Sequence, residues 1–139
     1  MLLCIAYGAL ALLLITIVVS ATSIHLERKR LLALADLTAL AAADTLDADS
    51  YYSGEGRDLD TPPVVLTPSG VRATVEDRLQ AAPEATRFED LTVLTATTPD
   101  GRTAVVSLGA PARPPFLTWV LAPWSDGVAL EVTARARAG

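Results

Sequence analysis

The sequence is poor in the residues on which most catalytic and metal sites depend. Its 139 residues include one cysteine, Cys4, and one histidine, His25, and they contain no glycine-rich phosphate-binding loop. A histidine-based catalytic triad after residue 25 and a zinc site built from cysteine and histidine are therefore excluded. A single cysteine also excludes an intramolecular disulfide. We predict a protein that is not an enzyme, needs no cofactor or metal and has no small-molecule substrate.

Charge is absent from the first 24 residues. Residues 2–24 contain no charged side chain and are dominated by leucine, isoleucine and valine. At ~1.5 Å per residue a helix of this length spans roughly 35 Å, against ~30 Å for the hydrocarbon core of a bilayer. Val19-Ser20-Ala21 resembles a signal-peptide cleavage site, but the run exceeds the ~7–15 apolar residues of a signal and follows no basic residue. We predict a retained transmembrane helix over residues 1–25.

The formal net charge of −5 falls entirely after residue 24. An acidic domain with scattered arginines argues against nucleic-acid binding. The basic cluster Arg28-Lys29-Arg30 directly follows the apolar run, so we predict that it lies at the membrane interface and contacts lipid headgroups. The positive-inside rule alone puts the following residues in the cytoplasm, although that rule weakens when a long domain follows the span.

Residues 26–46 are rich in alanine and leucine and predict a helical extension of the span. They carry two apolar stripes, one formed by Leu26, Ala33, Leu37, Leu40 and Ala41, and the other by Ala35, Ala39 and Ala43. Because small residues let another helix approach closely, we predict that the alanine stripe is a helix-packing face; the alternative is that alanine and leucine are present only as strong helix formers. Asp36 interrupts the run, and we expect it to reach back to Lys29 or Arg30 or toward a neighbouring subunit.

Residues 47–69 are rich in acids, glycine and proline and predict a linker loop. The acids of residues 44–60 lack the spacing of an EF-hand, so we interpret them as a solvated linker. Residues 70–139 predict a small α+β domain, with one helix on a three-stranded antiparallel sheet. Its helix should begin at an N-cap, Ser69, and end at Pro83.

The strands of this domain follow from alternation and turn residues. Residues 90–108 predict a hairpin around Pro99-Asp100-Gly101-Arg102, with Leu91, Val93 and Thr95 on one side. The prolines of residues 111–115 should break the pattern, and residues 116–121 favour a helical turn. Residues 128–136 alternate most clearly and predict the third strand. We expect Trp119 and Trp124 to contribute a large share of the core.

Two stretches carry a further pattern. The first is an apolar span followed by Arg30-Leu31, Ala35-Asp36 and Ala39-Leu40-Ala41-Ala42. The second is the tail, with Val105-Val106-Ser107, a proline stretch, residues 116–121 and the alternating residues 128–136. Together they resemble TadE/TadG-like proteins of the tight-adherence (Flp) pilus system. The resemblance implies a pilin-like minor component in the bacterial inner membrane, single-pass, with its C-terminal domain outside.

The resemblance also implies partners and a site. The partners would be the lipid bilayer and other pilin-like or Tad assembly membrane proteins, and Asp36, Ala39 and Leu40 would belong to the helix-packing motif. An unrelated single-pass sensor or ligand-binding module is the alternative, because the outer domain is small and residues 47–68 form a long loop. An accessory protein of another secretion machine is a third possibility.

Overall fold

The computed structural model describes residues 1–53, 65–112 and 128–138, which form a helical layer on one three-stranded sheet. The sheet is antiparallel with strand order β1-β2-β3. The predicted α+β architecture is confirmed. The elements are α1 (Leu2–Ser53), α2 (Pro68–Ala81), a short 3₁₀ turn (Ala85–Arg87), β1 (Thr92–Thr97), β2 (Thr103–Ala112) and β3 (Val128–Arg137).

Helix α1 runs without a break for 52 residues, beyond the end at residue 46 that the sequence predicted. Its threonines do not interrupt it, because their hydroxyls bond to carbonyls within the helix. Thr38 donates to the carbonyl of Leu34 at 3.0 Å, and Thr45 donates to that of Ala41 at 2.8 Å. Once a helix is nucleated, each further residue adds a hydrogen bond at low cost, so α1 extends to Ser53. The remainder of the predicted loop, residues 54–64, lies outside the described residues.

The N-cap of helix α2 lies two residues before the predicted one. Thr67 has extended backbone angles (φ −106°, ψ 143°), and its hydroxyl oxygen accepts a hydrogen bond from the Gly70 N–H at 3.3 Å. Pro68 follows as the first helical residue, a position where its missing N–H costs nothing. The N-cap is therefore Thr67 rather than Ser69. Val71 and Val75 of this helix are buried.

The hairpin turn forms where the sequence placed it. Gly101 has φ +69°, a conformation that disfavours a side chain. The Asp100 carboxylate accepts bonds from the N–H of Arg102 at 3.0 Å, the N–H of Thr103 at 2.6 Å and the Thr103 hydroxyl at 2.9 Å. The Arg102 N–H, followed by the Thr103 groups, lowers the pKa of Asp100 below its ordinary value.

Two details of the sheet differ from the prediction. A bulge between Val93 and Thr95 puts Thr95 opposite Ser107, so it no longer shares a side with Val93. Strand β2 continues to Ala112, although the prolines were expected to end it. Because β1 begins only opposite Gly109, Pro111 pairs with β3 alone, and a proline is tolerated at such an edge position.

The core lies between the two helices and one face of the sheet. The alternation predicted for β3 is confirmed, since Leu130, Val132 and Ala134 are buried. The predicted helical turn at residues 116–121 and the two tryptophans, Trp119 and Trp124, lie outside the described residues. Helix α1 supplies Leu31, Leu34, Ala35, Ala39, Ala42 and Ala43 to the core, and β2 supplies Ala104, Val106, Leu108, Ala110 and Ala112.

Candidate helix-packing surface

Helix α1 has two parts that differ in how they are covered. Residues 2–19 are exposed on every side apart from the half-buried Thr16. Over Leu2–Thr45 the helix is long and apolar enough to cross a membrane, and its apolar 18-residue window lies entirely outside the core of the domain. The domain begins to cover the helix at Ser20, which is 3% exposed, and Ile24 and Glu27 are half-buried on the same side. Burial of α1 by the rest of the domain therefore begins within the predicted transmembrane span of residues 1–25.

The alanine stripe faces the interior of the domain. Ala35 and Ala39 are fully buried and Ala43 is 2% exposed, all within the chain's own core. The prediction that this stripe packs against a helix of another protein is corrected, because the sheet and α2 already cover it. The small side chains do permit a close approach, but the elements that approach belong to the same chain.

The other two predicted packing residues, Asp36 and Leu40, remain exposed. Within the described residues, Asp36 makes no ion pair with Lys29 or Arg30, so the expected reach along the helix is absent. Leu40 also belongs to the first stripe, whose other members were not among the predicted packing residues. That stripe, rather than the alanine stripe, is the one left free.

An apolar surface therefore follows the outside of α1, and we call it the outer face. Outside the predicted span, Leu26 is 47% exposed, Leu37 is 61% exposed and Leu40 is 59% exposed. Exposed apolar patches on a folded domain can mark an interaction surface, although helical spacing places the exposed Lys29 and Asp36 between these leucines. The outer face continues into the span at seven-residue spacing, and it comprises Ile5, Leu12, Val19, Leu26, Ala33 and Leu40, with Leu37 beside them.

A groove separates the outer face from the end of α2 and the 3₁₀ turn. It consists of two neighbouring cavities of about 330 and 140 Å³ that share Leu34 and Leu37. The larger cavity is lined on its α2 side by Arg78, Ala81 and Ala82, and the smaller by Glu84, Arg87 and Phe88. On the α1 side, Arg30 lines the smaller cavity and Asp44 the larger one.

The predicted interface residues, Arg28, Lys29 and Arg30, are all exposed. They lie 8–10 residues beyond Ser20, or about 12–15 Å along the helix axis. Successive residues of a helix point about 100° apart, so the three charges surround much of its circumference. Contact with lipid headgroups stays a prediction. Within the described residues, no group of three or more histidine, cysteine or acidic side chains could hold a metal ion.

No protein-family model, curated protein or solved structure matches this chain, so the resemblance to TadE/TadG-like proteins stays a prediction and function is argued from the geometry of α1.

Proposed function

We propose that this protein is a pilin-like component of a Tad/Flp-type pilus, either a minor pilin or an assembly factor, that acts by packing α1 against helices of other membrane proteins. It is anchored in the bacterial cell membrane by residues 2–19, and its domain faces outward. The observation that carries the proposal is the continuity of the outer face: α1 presents apolar side chains both along the span and at Leu37 and Leu40, beyond it.

A simple membrane anchor accounts for only part of this surface. Lipid tails cover the exposed residues of the span, but they do not reach Leu40, which lies about 30 Å beyond Ser20 along the helix. Leucines that are exposed this far from the bilayer are covered by another protein rather than by lipid. The covering protein is, on this proposal, a pilin-like or Tad assembly partner whose helix lies beside α1.

A second candidate function is a sensor or ligand-binding module. The groove beside the outer face favours it, because its larger cavity of about 330 Å³ falls at the lower end of small-molecule sites. In that case residues 2–19 would serve only as an anchor. Any apolar helix of the same length could then replace residues 2–19 without loss of function.

Exchanging the anchor separates the two functions. In the native host, residues 2–19 of the tagged full chain are replaced by an unrelated leucine–alanine helix of equal length. Resistance of the membrane fraction to alkaline extraction checks that the exchanged chain is still inserted. The proposal predicts normal insertion but loss of surface pili, measured in the fraction sheared from cells. Normal piliation with the exchanged anchor would contradict it.

A matched variant keeps the native anchor and carries Leu37→Ala and Leu40→Ala. Because both side chains are exposed, this variant should fold and insert normally while piliation falls. A sensor predicts the opposite pattern, in which signalling or ligand binding survives the anchor exchange. That pattern is read out by ligand-induced thermal shifts of the solubilised full chain.

A further inference from the structure

We infer that one end of the sheet contacts the lipid headgroups of the membrane that α1 crosses, so that this end of the domain is a lipid-binding surface. It is the end at which β2 finishes and β3 begins, and we call it the bilayer end. The inference rests on one part of the proposed function, the insertion of residues 2–19 in the membrane, and it does not require that the protein belongs to a pilus.

Contacts with α1 give the direction of the chain relative to the span. Arg78, near the end of α2, shares the larger cavity with Asp44 of α1. Arg87 of the 3₁₀ turn shares the smaller cavity with Arg30, which lies 14 residues nearer the span than Asp44. The chain therefore approaches the membrane as it passes from α2 to the 3₁₀ turn, and β1 begins on the membrane side of the domain.

Hydrogen bonds at the opposite end of the sheet fix the direction of the strands. The Leu66 N–H, just before α2, donates to the Gly101 carbonyl at 2.9 Å, so the hairpin turn lies beside the start of α2 and away from the span. The Ala138 N–H donates to the Arg102 carbonyl at 2.8 Å, so β3 ends at the same place. Strands β1 and β3 thus run away from the membrane, whereas β2 runs toward it.

The length of the sheet brings its bilayer end close to the membrane. Ile24 packs against the core of the domain, and Ala43, the last core residue of α1, lies about 29 Å further along the helix. Strand β3 spans about 30 Å from Val128, which pairs with Ala112, to Arg137. The sheet is therefore long enough to cover α1 from Ala43 back to Ile24, and its bilayer end lies beside Ile24.

Ile24 lies where the hydrocarbon core of the bilayer meets the headgroups. It ends the uncharged run of residues 2–24, and Arg28 and Lys29 follow within about 8 Å along the helix. The headgroup layer is roughly 5–8 Å thick on each side of the hydrocarbon core. No spacer separates the span from the domain, since Ser20 is already buried. The bilayer end is therefore held within the headgroup layer.

Charge neither draws the bilayer end toward the membrane nor repels it. The described residues around it carry four basic and four acidic side chains, namely Arg28, Lys29, Arg30 and Arg87 with Glu27, Glu84, Glu89 and Asp90. Anionic lipid attracts a surface only where basic residues are in excess. The anchor and the length of the sheet hold this end in place, so the contact should form on neutral lipid.

Fluorescence quenching in phosphatidylcholine vesicles measures how near each end of β3 lies to the headgroups. Ala129→Cys and Arg137→Cys are made separately in the full chain with Cys4→Ser, and each is labelled with a small fluorophore. Both positions are exposed, and they lie on the same side of the strand, about 26 Å apart. With a nitroxide on the lipid headgroups, this separation predicts quenching at least about threefold stronger at position 129 than at position 137.

A second pair guards against a local effect of one substitution. Arg87→Cys lies at the bilayer end and Arg102→Cys in the hairpin turn, and both positions are exposed. Circular dichroism checks that each labelled chain keeps its helix content. The inference requires stronger quenching at the bilayer end in both pairs. Equal quenching in either pair, or stronger quenching at position 137 or 102, overturns it.

A label inside the span separates this inference from the proposed function. Leu12→Cys, made and labelled in the same way, should be quenched by vesicles that carry bromine on the acyl chains. If position 12 is quenched and position 129 is not, the anchor is inserted and the inference alone is wrong. If position 12 is not quenched, residues 2–19 do not enter the bilayer, and the inference and the proposed function both fail.

Discussion

Ala39 and Leu40 are neighbours in the chain, yet Ala39 is fully buried in the core and Leu40 is 59% exposed on the outer face. One residue of helical rotation separates the surface that holds the domain together from the surface that is free for a partner. This division allows the two roles of α1 to be tested one at a time.

Substitutions of these two residues should differ in their effect on the stability of the domain. Ala39→Leu inserts three carbons into a filled core and should lower the free energy of unfolding by ~1–3 kcal/mol. Leu40→Ala removes an exposed side chain and should change that free energy by no more than ~0.5 kcal/mol. Urea unfolding of the full chain in detergent micelles, followed by circular dichroism, measures both. Equal effects would mean that α1 does not pack on the sheet as described.

The elements of the fold could be predicted from the sequence because each has a local signal. The apolar span, the Asp-Gly turn and the alternation of β3 all lie in stretches of about 25 residues or fewer. The end of β2 could not, because it depends on pairing with distant strands. Pro111 is accommodated only because β1 starts opposite Gly109, and that pairing is a property of the assembled sheet.

The candidate site was harder to predict for a related reason. Both stripes of α1 are visible in the sequence, but periodicity does not say which stripe meets the chain's own sheet. The alanines suggested a partner helix because small residues permit close approach, and the same property suits them to the domain core. The seven-residue repeat from Ile5 to Leu40 was the signal that could have identified the free face.

Ser20 should tolerate the loss of its hydroxyl. Its Oγ is buried and has no hydrogen-bond partner within the described part of the chain, whereas the Ser23 hydroxyl donates to the Ser20 carbonyl at 3.0 Å. A buried hydroxyl without a partner costs ~1–3 kcal/mol, so Ser20→Ala should leave the free energy of unfolding unchanged or raise it. Ser23→Ala is the control and should not raise it. Thermal unfolding of the solubilised chain compares them, and a marked loss for Ser20→Ala would contradict the geometry.

Asp100 should make the fold sensitive to acid. Its folded-state pKa is lowered, first by the Arg102 N–H, so the ionised carboxylate stabilises the turn above its unfolded pKa of ~3.9. That stabilisation is lost as the pH falls through the folded-state pKa. Asp100→Asn should therefore be less stable than wild type at pH 7, and the difference should shrink in acid. Urea unfolding at a series of pH values tests this, and a difference that is independent of pH would contradict it.

A charge in the span should block insertion, whereas the same charge further along α1 should not. Leu13 lies at the middle of the predicted span of residues 1–25, where an arginine costs ~2.5–3.5 kcal/mol. Leu13→Arg should therefore move part of the chain into the fraction released by alkaline extraction. Leu40→Arg is the matched control and should stay in the membrane pellet. Equal release of the two variants would mean that residues 2–19 do not cross the bilayer.

Cysteine labelling in native membranes tests the central claim, that the outer face of α1 is a docking surface. Leu37→Cys and Leu32→Cys are made separately with Cys4→Ser, and both positions are exposed in the isolated chain. Position 32 lies about 140° around α1 from position 37, away from the outer face. The account predicts that a water-soluble maleimide labels the cysteine at position 32 quickly and the one at position 37 slowly in membranes, and both quickly once detergent separates the chains. Equally fast labelling of both positions in native membranes would contradict it.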